Sequence, residues 1–326
     1  MQAPVLYIVV PCYNEEAVLP ETGRRLHAAL KGLTEQGRVS PRSRITFVDD
    51  GSKDGTWPAI LALTKGNPSI EGIKLAHNVG HQRALWAGMN RVRERCDCLI
   101  TIDADLQDDV EAIGRFVERY NEGCQVVYGV RSSRKTDTSF KRRSAHLYYG
   151  LMKRLGVELE FDHADYRLLG REALDALAAF PERNLFLRGM VPLLGFKQGR
   201  VYYERGERFA GESKYPLKKM LMFAMEGITS FSVKPIRCIL ALGALFLVLG
   251  LAMAVWAVIS RYLGRTVAGW ASIMVSLWVI GGAQLMALGL IGEYVGKVYT
   301  EVKRRPRYII EEYTAKDEEQ ADGTQE

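Results

Sequence analysis

Short apolar runs alternate with amphipathic stretches through the first 130 or so residues. Leu6 to Val10 is the first run; it ends at Pro11-Cys12-Tyr13-Asn14-Glu15-Glu16, and a helical pattern follows through Leu19, Leu26 and Leu30. Ile45 to Val48 is closed by Asp49-Asp50-Gly51-Ser52 and followed by a helical stretch from Thr56 to about Thr64. Ile70 to Leu75 leads into His77-Asn78-Val79-Gly80 and a helix from Arg83 to Arg93. Leu99 to Ile102 ends abruptly in Asp103-Ala104-Asp105-Leu106-Gln107-Asp108-Asp109, with a helix from Val110 to Glu122; Val126 to Tyr128 then ends at Gly129-Val130-Arg131. Short β-branched runs closed by turn residues predict strands, and apolar residues three and four apart predict helices. Strands alternating with helices define an α/β fold with a mostly parallel sheet. Ligands in such sheets dock at the carboxyl ends of the strands, where this chain gathers its polar motifs.

The pattern changes after residue 235. Cys238 to Ile259 runs 22 residues without a charge, and Val267 to Gly292 runs 26. Each exceeds the roughly 20 residues a helix needs to cross a bilayer, and neither shows the polar face of a core helix, so two transmembrane helices are expected. Between the folded part and the first span, apolar residues from Leu217 to Phe231 are set among lysines, as in interfacial helices. The expected organisation is a catalytic domain over 1–214, juxtamembrane amphipathic helices over 215–235, two spans within 236–297 and a basic-then-acidic tail over 298–326. The tail beyond Ile310 is acidic and poor in apolar residues, which predicts disorder. Met1 to Val10 lacks the basic start and long apolar region of a signal peptide.

Charge orients the spans. Five basic residues precede the first (Lys214, Lys218, Lys219, Lys234, Arg237) and five follow the second (Lys297, Lys303, Arg304, Arg305, Arg307), against Arg261 and Arg265 between them. The bias puts the catalytic domain and both termini in the cytoplasm. The net charge of +6 is then explained by contact with anionic lipid, not nucleic acid. Five cysteines (12, 96, 98, 124 and 238) form no C-x-x-C pair and no His-linked zinc spacing, so they read as reduced core residues. Neither G-x-G-x-x-G nor G-x-x-x-x-G-K-[ST] occurs, which counts against dinucleotide oxidoreductases and P-loop NTPases.

Asp103-x-Asp105-x-Gln107 suits oxygen ligation of a hard cation such as Mg²⁺ or Mn²⁺, although a lone D-x-D also occurs as an acidic turn capping a helix; Asp108 and Asp109 read as helix N-terminal residues. Similarly, Asp50-Gly51-Ser52 could be a simple turn. The ordered set is more specific than any one motif. Pro11-Cys-Tyr-Asn-Glu15, Val48-Asp-Asp-Gly-Ser52, Asn78-Val-Gly80 and Asp103-Ala-Asp105-Leu-Gln107 resemble the family 2 glycosyltransferases of the GT-A fold. His163-Ala-Asp165-Tyr-Arg167, Asn184-Leu-Phe-Leu-Arg188-Gly189, Arg208-Phe-Ala-Gly-Glu-Ser-Lys214-Tyr215 and the two spans narrow the likeness. They resemble the membrane-bound polyisoprenyl-phosphate glycosyltransferases, which include bactoprenol glucosyltransferases and dolichol-phosphate mannose synthases.

The resemblance implies inverting, metal-dependent transfer of one sugar from a UDP-sugar, glucose favoured, to undecaprenyl phosphate on the cytoplasmic leaflet of a bacterial plasma membrane. The product would be a lipid-linked sugar for modifying cell-envelope glycans. It implies donor contacts at Pro11, Tyr13, Asn14, Glu15, Asp49, Asp50, Ser52 and Asn78, metal contacts at Asp103, Asp105 and Gln107, and a base or orienting role for Asp165. Asp165 could equally be a structural carboxylate paired with Arg167. A lipid phosphate needs cationic clamps, for which Arg131, Arg142, Arg143, Arg205, Arg208 and Lys214 are candidates, Arg131 and Arg208 first. His77 and His163 neighbour motifs but have no metal-ligand company. A processive polysaccharide synthase of the same fold is the competing enzyme, yet Phe186-Leu187-Arg188-Gly189 has no following Trp and two spans hardly enclose a pore. A non-catalytic nucleotide-binding scaffold is the other alternative. Small residues in the second span, from Gly281 to Gly289, leave room for close packing within a chain or in a homo-oligomer.

Overall fold

The first apolar run forms β1 (Leu6–Cys12), buried at all seven positions. Burial on both faces is what a continuous apolar strand in the middle of a parallel sheet requires. In this computed structural model the described residues are 3–132, 163–183, 185–204, 206, 234–263 and 269–315. Around β1 the other predicted elements appear within a few residues of their expected ends: α1 (Leu19–Glu35), β2 (Arg44–Asp49), α2 (Thr56–Gly66), β3 (Ile70–Leu75), α3 (His81–Val92) and β4 (Cys98–Thr101). A single 3₁₀ turn over Val110–Ala112 opens α4 (Ile113–Asn121), and β5 (Val126–Arg131) follows.

Three further strands were not legible in the apolar pattern: β6 (His163–Gly170), β7 (Gln198–Tyr203) and β8 (Ile310–Tyr313). Short helices α5 (Arg171–Ala178) and α6 (Leu187–Leu193) lie between β6 and β7. The sheet order is β7-β5-β6-β4-β1-β2-β3-β8. β2-β1-β4 and β2-β3 pair in parallel, as expected, and the unforeseen β7 also pairs in parallel with β5. β6, however, runs antiparallel between β4 and β5, so these consecutive strands are not neighbours. That inserted strand carries Asp165 and Arg167 to the edge of the site.

Two residue choices suit the centre of the sheet, where α3 crosses β1 and β2. Pro11 lacks an amide hydrogen, but β4 pairs with β1 only as far as Val9, so the missing donor costs nothing there. A Cβ on Gly88 would stand 2.5 Å from Val9 Cγ1 and 2.7 Å from Val48 Cγ2, so glycine lets the helix lie directly on the sheet.

The tail departs from expectation as far as residue 315, the rest of it lying outside the described residues. Ile310–Tyr313 is β8, antiparallel to β3, and Thr314 continues the contact by accepting from Gly72 N through Oγ1 at 2.8 Å. Lys74 pairs with Glu311 at 3.0 Å, and Trp57 Nε1 donates to Glu312 at 3.2 Å, so the acidic side chains that argued for disorder are partners for the sheet edge. Cys12, Cys96, Cys98 and Cys124 are buried free thiols, and burial pushes Cys96 up to about 12, which keeps it unreactive.

The described residues fall into two compact units, one holding the sheet with 305–315, the other two long helices. These are α7 (Lys234–Tyr262) and α8 (Trp270–Lys303). Among the described residues, one segment, Val279–Lys303, is long and apolar enough to cross a membrane, and none of its apolar window is buried. The expected amphipathic helices over 215–235 lie almost wholly outside the described residues.

Gly88→Ala should lower stability by roughly 1–3 kcal/mol through overpacking. The measurement is the thermal midpoint of full-length protein; an unchanged midpoint would show that α3 is free to lift off the sheet.

Candidate active site

The loops after β1 and β2 are stapled into one platform. Asn14 N donates to Ser52 Oγ at 3.0 Å, Lys53 N donates to Asn14 Oδ1 at 3.0 Å, and Glu15 N donates to Thr56 Oγ1 at 2.9 Å. Asn14 sits at φ 54°, a left-handed conformation that asparagine tolerates. Gly51 is at φ 65°, and a Cβ there would come within 2.6 Å of Asn78 N, so glycine is required for the second and third strand ends to meet. Asp50 closes that junction by accepting from Val79 N at 2.7 Å and Gly80 N at 2.9 Å. Asp49 is fully buried; its Oδ1 accepts from Ser52 N at 3.1 Å, and its Oδ2 has no hydrogen-bond partner among the described residues. Tyr13 stays 43% exposed on the same platform, while Pro11 ends β1 beneath it. The structure thus brings Pro11, Tyr13, Asn14, Glu15, Asp49, Asp50, Ser52 and Asn78 to one end of the sheet.

Beside this platform lies the end of β4. Ala104 O accepts from Thr22 Oγ1 at 2.7 Å, and Asp105 Oδ1 accepts from Gln107 N at 3.2 Å, which folds the acidic loop back on itself. Leu106 adopts φ 57° to make the turn. Burial, opposed by His81 and reinforced by the charges of Asp165, Asp108 and Asp105, pushes the Asp103 carboxyl up to about 6.

Asp165 faces Asp103 across a histidine. His81, the first residue of α3, has Nε2 3.7 Å from Asp103 Oδ1 and 3.4 Å from Asp165 Oδ2. Arg188 Nη2 lies 3.1 Å from Asp165 Oδ2 and its Nε 3.2 Å from Oδ1, while the buried Arg167 pairs with Asp165 from within β6. Gln82 Nε2 is at 3.5 Å from Asp165 Oδ2. Burial alone would raise the Asp165 pKa, but the His81 hydrogen bond and the two guanidinium charges hold it well below the usual carboxylate range. The same contact raises His81, although burial opposes that. His77 and His163 neighbour the sequence motifs, but the histidine at the site is His81, one residue beyond Asn78-Val-Gly80.

Asp109 caps the turn before α4 through Glu111 N at 3.0 Å, as a helix N-terminal residue should. Asp108, expected to do the same, is instead buried and accepts from Tyr203 Oη at 2.5 Å. It lies 3.8 Å from Arg131 Nη2, which fixes that arginine at the end of β5. Arg142, Arg143, Arg205, Arg208 and Lys214 lie outside the described residues.

Among the described residues no three His, Cys, Asp or Glu side chains form a ready-made metal cage. The donor set does fit a hard divalent cation shared with a ligand. Such ions are held by one or two carboxylates plus substrate phosphates, and Asp103 with Asp105 supplies two, one of them crowded by like charge.

The sequence profile described as Glycosyl transferase family 2 matches residues 7–178. The chain belongs to that family, and it is a glycosyltransferase. It is 54% identical over 308 residues to the uncharacterized glycosyltransferase YkoT of Bacillus subtilis, covering 94% of this chain and 91% of that one. To the SfII prophage-derived bactoprenol glucosyl transferase of Shigella flexneri it is 37% identical over 306 residues, covering 93% and 96%. Among solved structures, glucosyl-3-phosphoglycerate synthase of Mycobacterium tuberculosis with Mn²⁺, UDP and phosphoglyceric acid matches at TM-score 0.47 and 18% identity, covering 69% and 76%, a likeness too weak to build on.

In the metal-free protein the native Asp103 keeps its proton up to about pH 6, whereas an unfolded aspartate loses it near 3.9. Asp103 therefore favours the native state at acid pH and forfeits that advantage as pH rises from about 4 to 6. Asp103→Asn should raise the thermal midpoint at pH 7.5 and leave it nearly unchanged at pH 4; a lower midpoint at pH 7.5 would refute this electrostatic picture.

Proposed function

We propose that the protein transfers a single sugar from a UDP-sugar, glucose in first place, to a polyisoprenyl phosphate at the cytoplasmic face of a bacterial plasma membrane. The observation that carries this reading is the length of the likeness to a bactoprenol glucosyl transferase. At 93% of the chain it takes in both the acidic site and the long apolar helices. The described parts of α7 and α8 expose large apolar side chains to a degree uncommon in water, with Leu240 at 73%, Leu285 at 71% and Met286 at 74%. Lipid would cover that surface, and both helices are long enough to span a bilayer of about 30 Å.

Donor selection follows from the platform. Asp49 Oδ2 is a buried acceptor with no partner among the described residues, and the imide N–H of uracil is a donor that cytosine lacks. Asp103 and Asp105, with Gln107 beside them, would hold Mg²⁺ or Mn²⁺. Bound there, the ion would offset the charge that develops on the departing diphosphate.

The acceptor is a phosphate monoester with a second pKa near 6, so it reaches the site already largely dianionic. Its oxygen forms the new bond to the sugar C1 as the C1–O bond to UDP breaks, and the electron pair leaves on the diphosphate, with inversion. No side chain needs to take a proton. That agrees with Asp165, whose carboxylate is tied to Arg167, Arg188 and His81 and held strongly ionised, an arrangement for orienting cations and not for general base catalysis. Arg131, fixed by Asp108 yet 30% exposed, and Arg188 are the described arginines placed to meet a phosphate.

Purified protein should move radiolabel from UDP-glucose or UDP-GlcNAc into the lipid fraction when given undecaprenyl phosphate and Mn²⁺. Tight UDP binding with no labelled lipid from any donor would overturn the acceptor assignment. Asp105→Asn should abolish turnover with the thermal midpoint preserved, and surviving turnover would remove Asp105 from the metal site.

A further inference from the structure

Helix α3 carries two kinds of contact on one stripe. Gln82, Trp86 and Asn90 are four residues apart, so they line up along the same side of the helix. At the site end, Gln82 Nε2 approaches Asp165 and its Oε1 accepts from Leu187 N at 3.2 Å, which ties α3 to the start of α6 just before Arg188. Farther along, the stripe is gripped by the segment that follows α8. The Arg307 guanidinium lies 5.3 Å from the centre of the Trp86 ring, and Asn90 Nδ2 donates to Tyr308 Oη at 2.9 Å. Arg307 Nη2 also donates to Phe180 O at 2.9 Å and to Glu182 O, so the segment bridges α3 to the chain after α5.

This strap is anchored on β3 and α2, besides a contact in β8 where the Arg91 guanidinium of α3 lies 4.5 Å from the centre of the Tyr313 ring. Ile309 O accepts from Ala76 N at 3.0 Å, β8 pairs with β3, and Glu311 and Glu312 hold Lys74 and Trp57. The underside of α3 offers less resistance to sliding. Ala84 and Gly88, one turn apart, present small surfaces to the sheet, and Gly88 rests on Val9 and Val48. A helix is stiff along its axis, and the roughly 12 Å from Gln82 to Asn90 transmits a shift at one end to the other.

We propose that Arg307 and Tyr308 are positioning residues for the transfer: by gripping Trp86 and Asn90 they set the axial position of α3, and through it the placement of His81 and Gln82 against Asp103 and Asp165. The proposal rests on the transferase reading for its kinetic consequence and on geometry alone for its structural one. Neither residue touches a substrate. Their effect reaches the reaction through α3, where displacements of about 1 Å are enough to matter.

The test uses full-length protein in lipid nanodiscs, with kcat, donor KM, thermal midpoint and amide hydrogen exchange measured on each variant. Arg307→Ala should lower kcat on the order of tenfold with donor KM little changed, and should speed exchange in the first turn of α3. Tyr308→Phe should act in the same direction but less. Arg307→Lys should recover part of the loss, because an ammonium keeps the cation–π contact but not the forked hydrogen bonds. Glu311→Ala and Glu312→Gln, which remove one anchoring contact each and leave Arg307 and Tyr308 in place, should lower kcat far less than Arg307→Ala does. Wild-type kcat in Arg307→Ala, or equal losses in Glu311→Ala at equal midpoint, would overturn the proposal. Should the wild type move no sugar, the transferase reading fails on its own, and unchanged exchange over His81–Arg83 in Arg307→Ala would still sink the positioning role.

Discussion

The arrangement of the site depends on one buried carboxylate. Asp165 stands on the inserted antiparallel strand, and it holds Arg167 from its own strand, Arg188 from α6 and His81 from α3. Three elements distant in the chain therefore meet at two oxygens. A buried cluster of this kind is a poor source of net stability, since desolvation cancels much of the attraction. What it does provide is definition: Arg188 and His81 are each fixed by charge in an orientation that packing alone would leave open. Removing the carboxylate would strip the fully buried Arg167 of its ion-pair partner and leave His81 with Asp103 beside it.

How much of this was legible in the sequence follows from where each signal resides. The five strands of the first half announce themselves because each is a local apolar run closed by turn residues, and the loops after them carry the motifs. Strand β6 was harder. Its residues, His-Ala-Asp-Tyr-Arg-Leu-Leu-Gly, include a buried ion pair, so hydrophobicity does not mark it, and its antiparallel insertion is a long-range event no local pattern encodes. Strand β8 was missed for a related reason. Ile-Glu-Glu-Tyr reads as a solvated tail until Lys74 and Trp57, more than 200 positions earlier, are seen to receive its glutamates. His81 escaped notice because a single histidine at a helix start carries no spacing signature. Asp108 was read by position in the acidic loop as a cap, whereas Tyr203 and Arg131, both remote in sequence, draw it inward.

The acidic loop itself is held in a state that local physics disfavours. Leu106 occupies a left-handed conformation that costs about 1–2 kcal/mol for a residue with a branched side chain. Three residues earlier, Asp103 is crowded by three other carboxylates, and burial with that like charge pushes its carboxyl up to about 6. Both penalties fall within four residues. A cation held by Asp103 and Asp105, as proposed above, would neutralise the like charge at Asp103 and tie down the loop that contains the Leu106 turn, so its binding would offset the cost of both without removing the backbone strain itself.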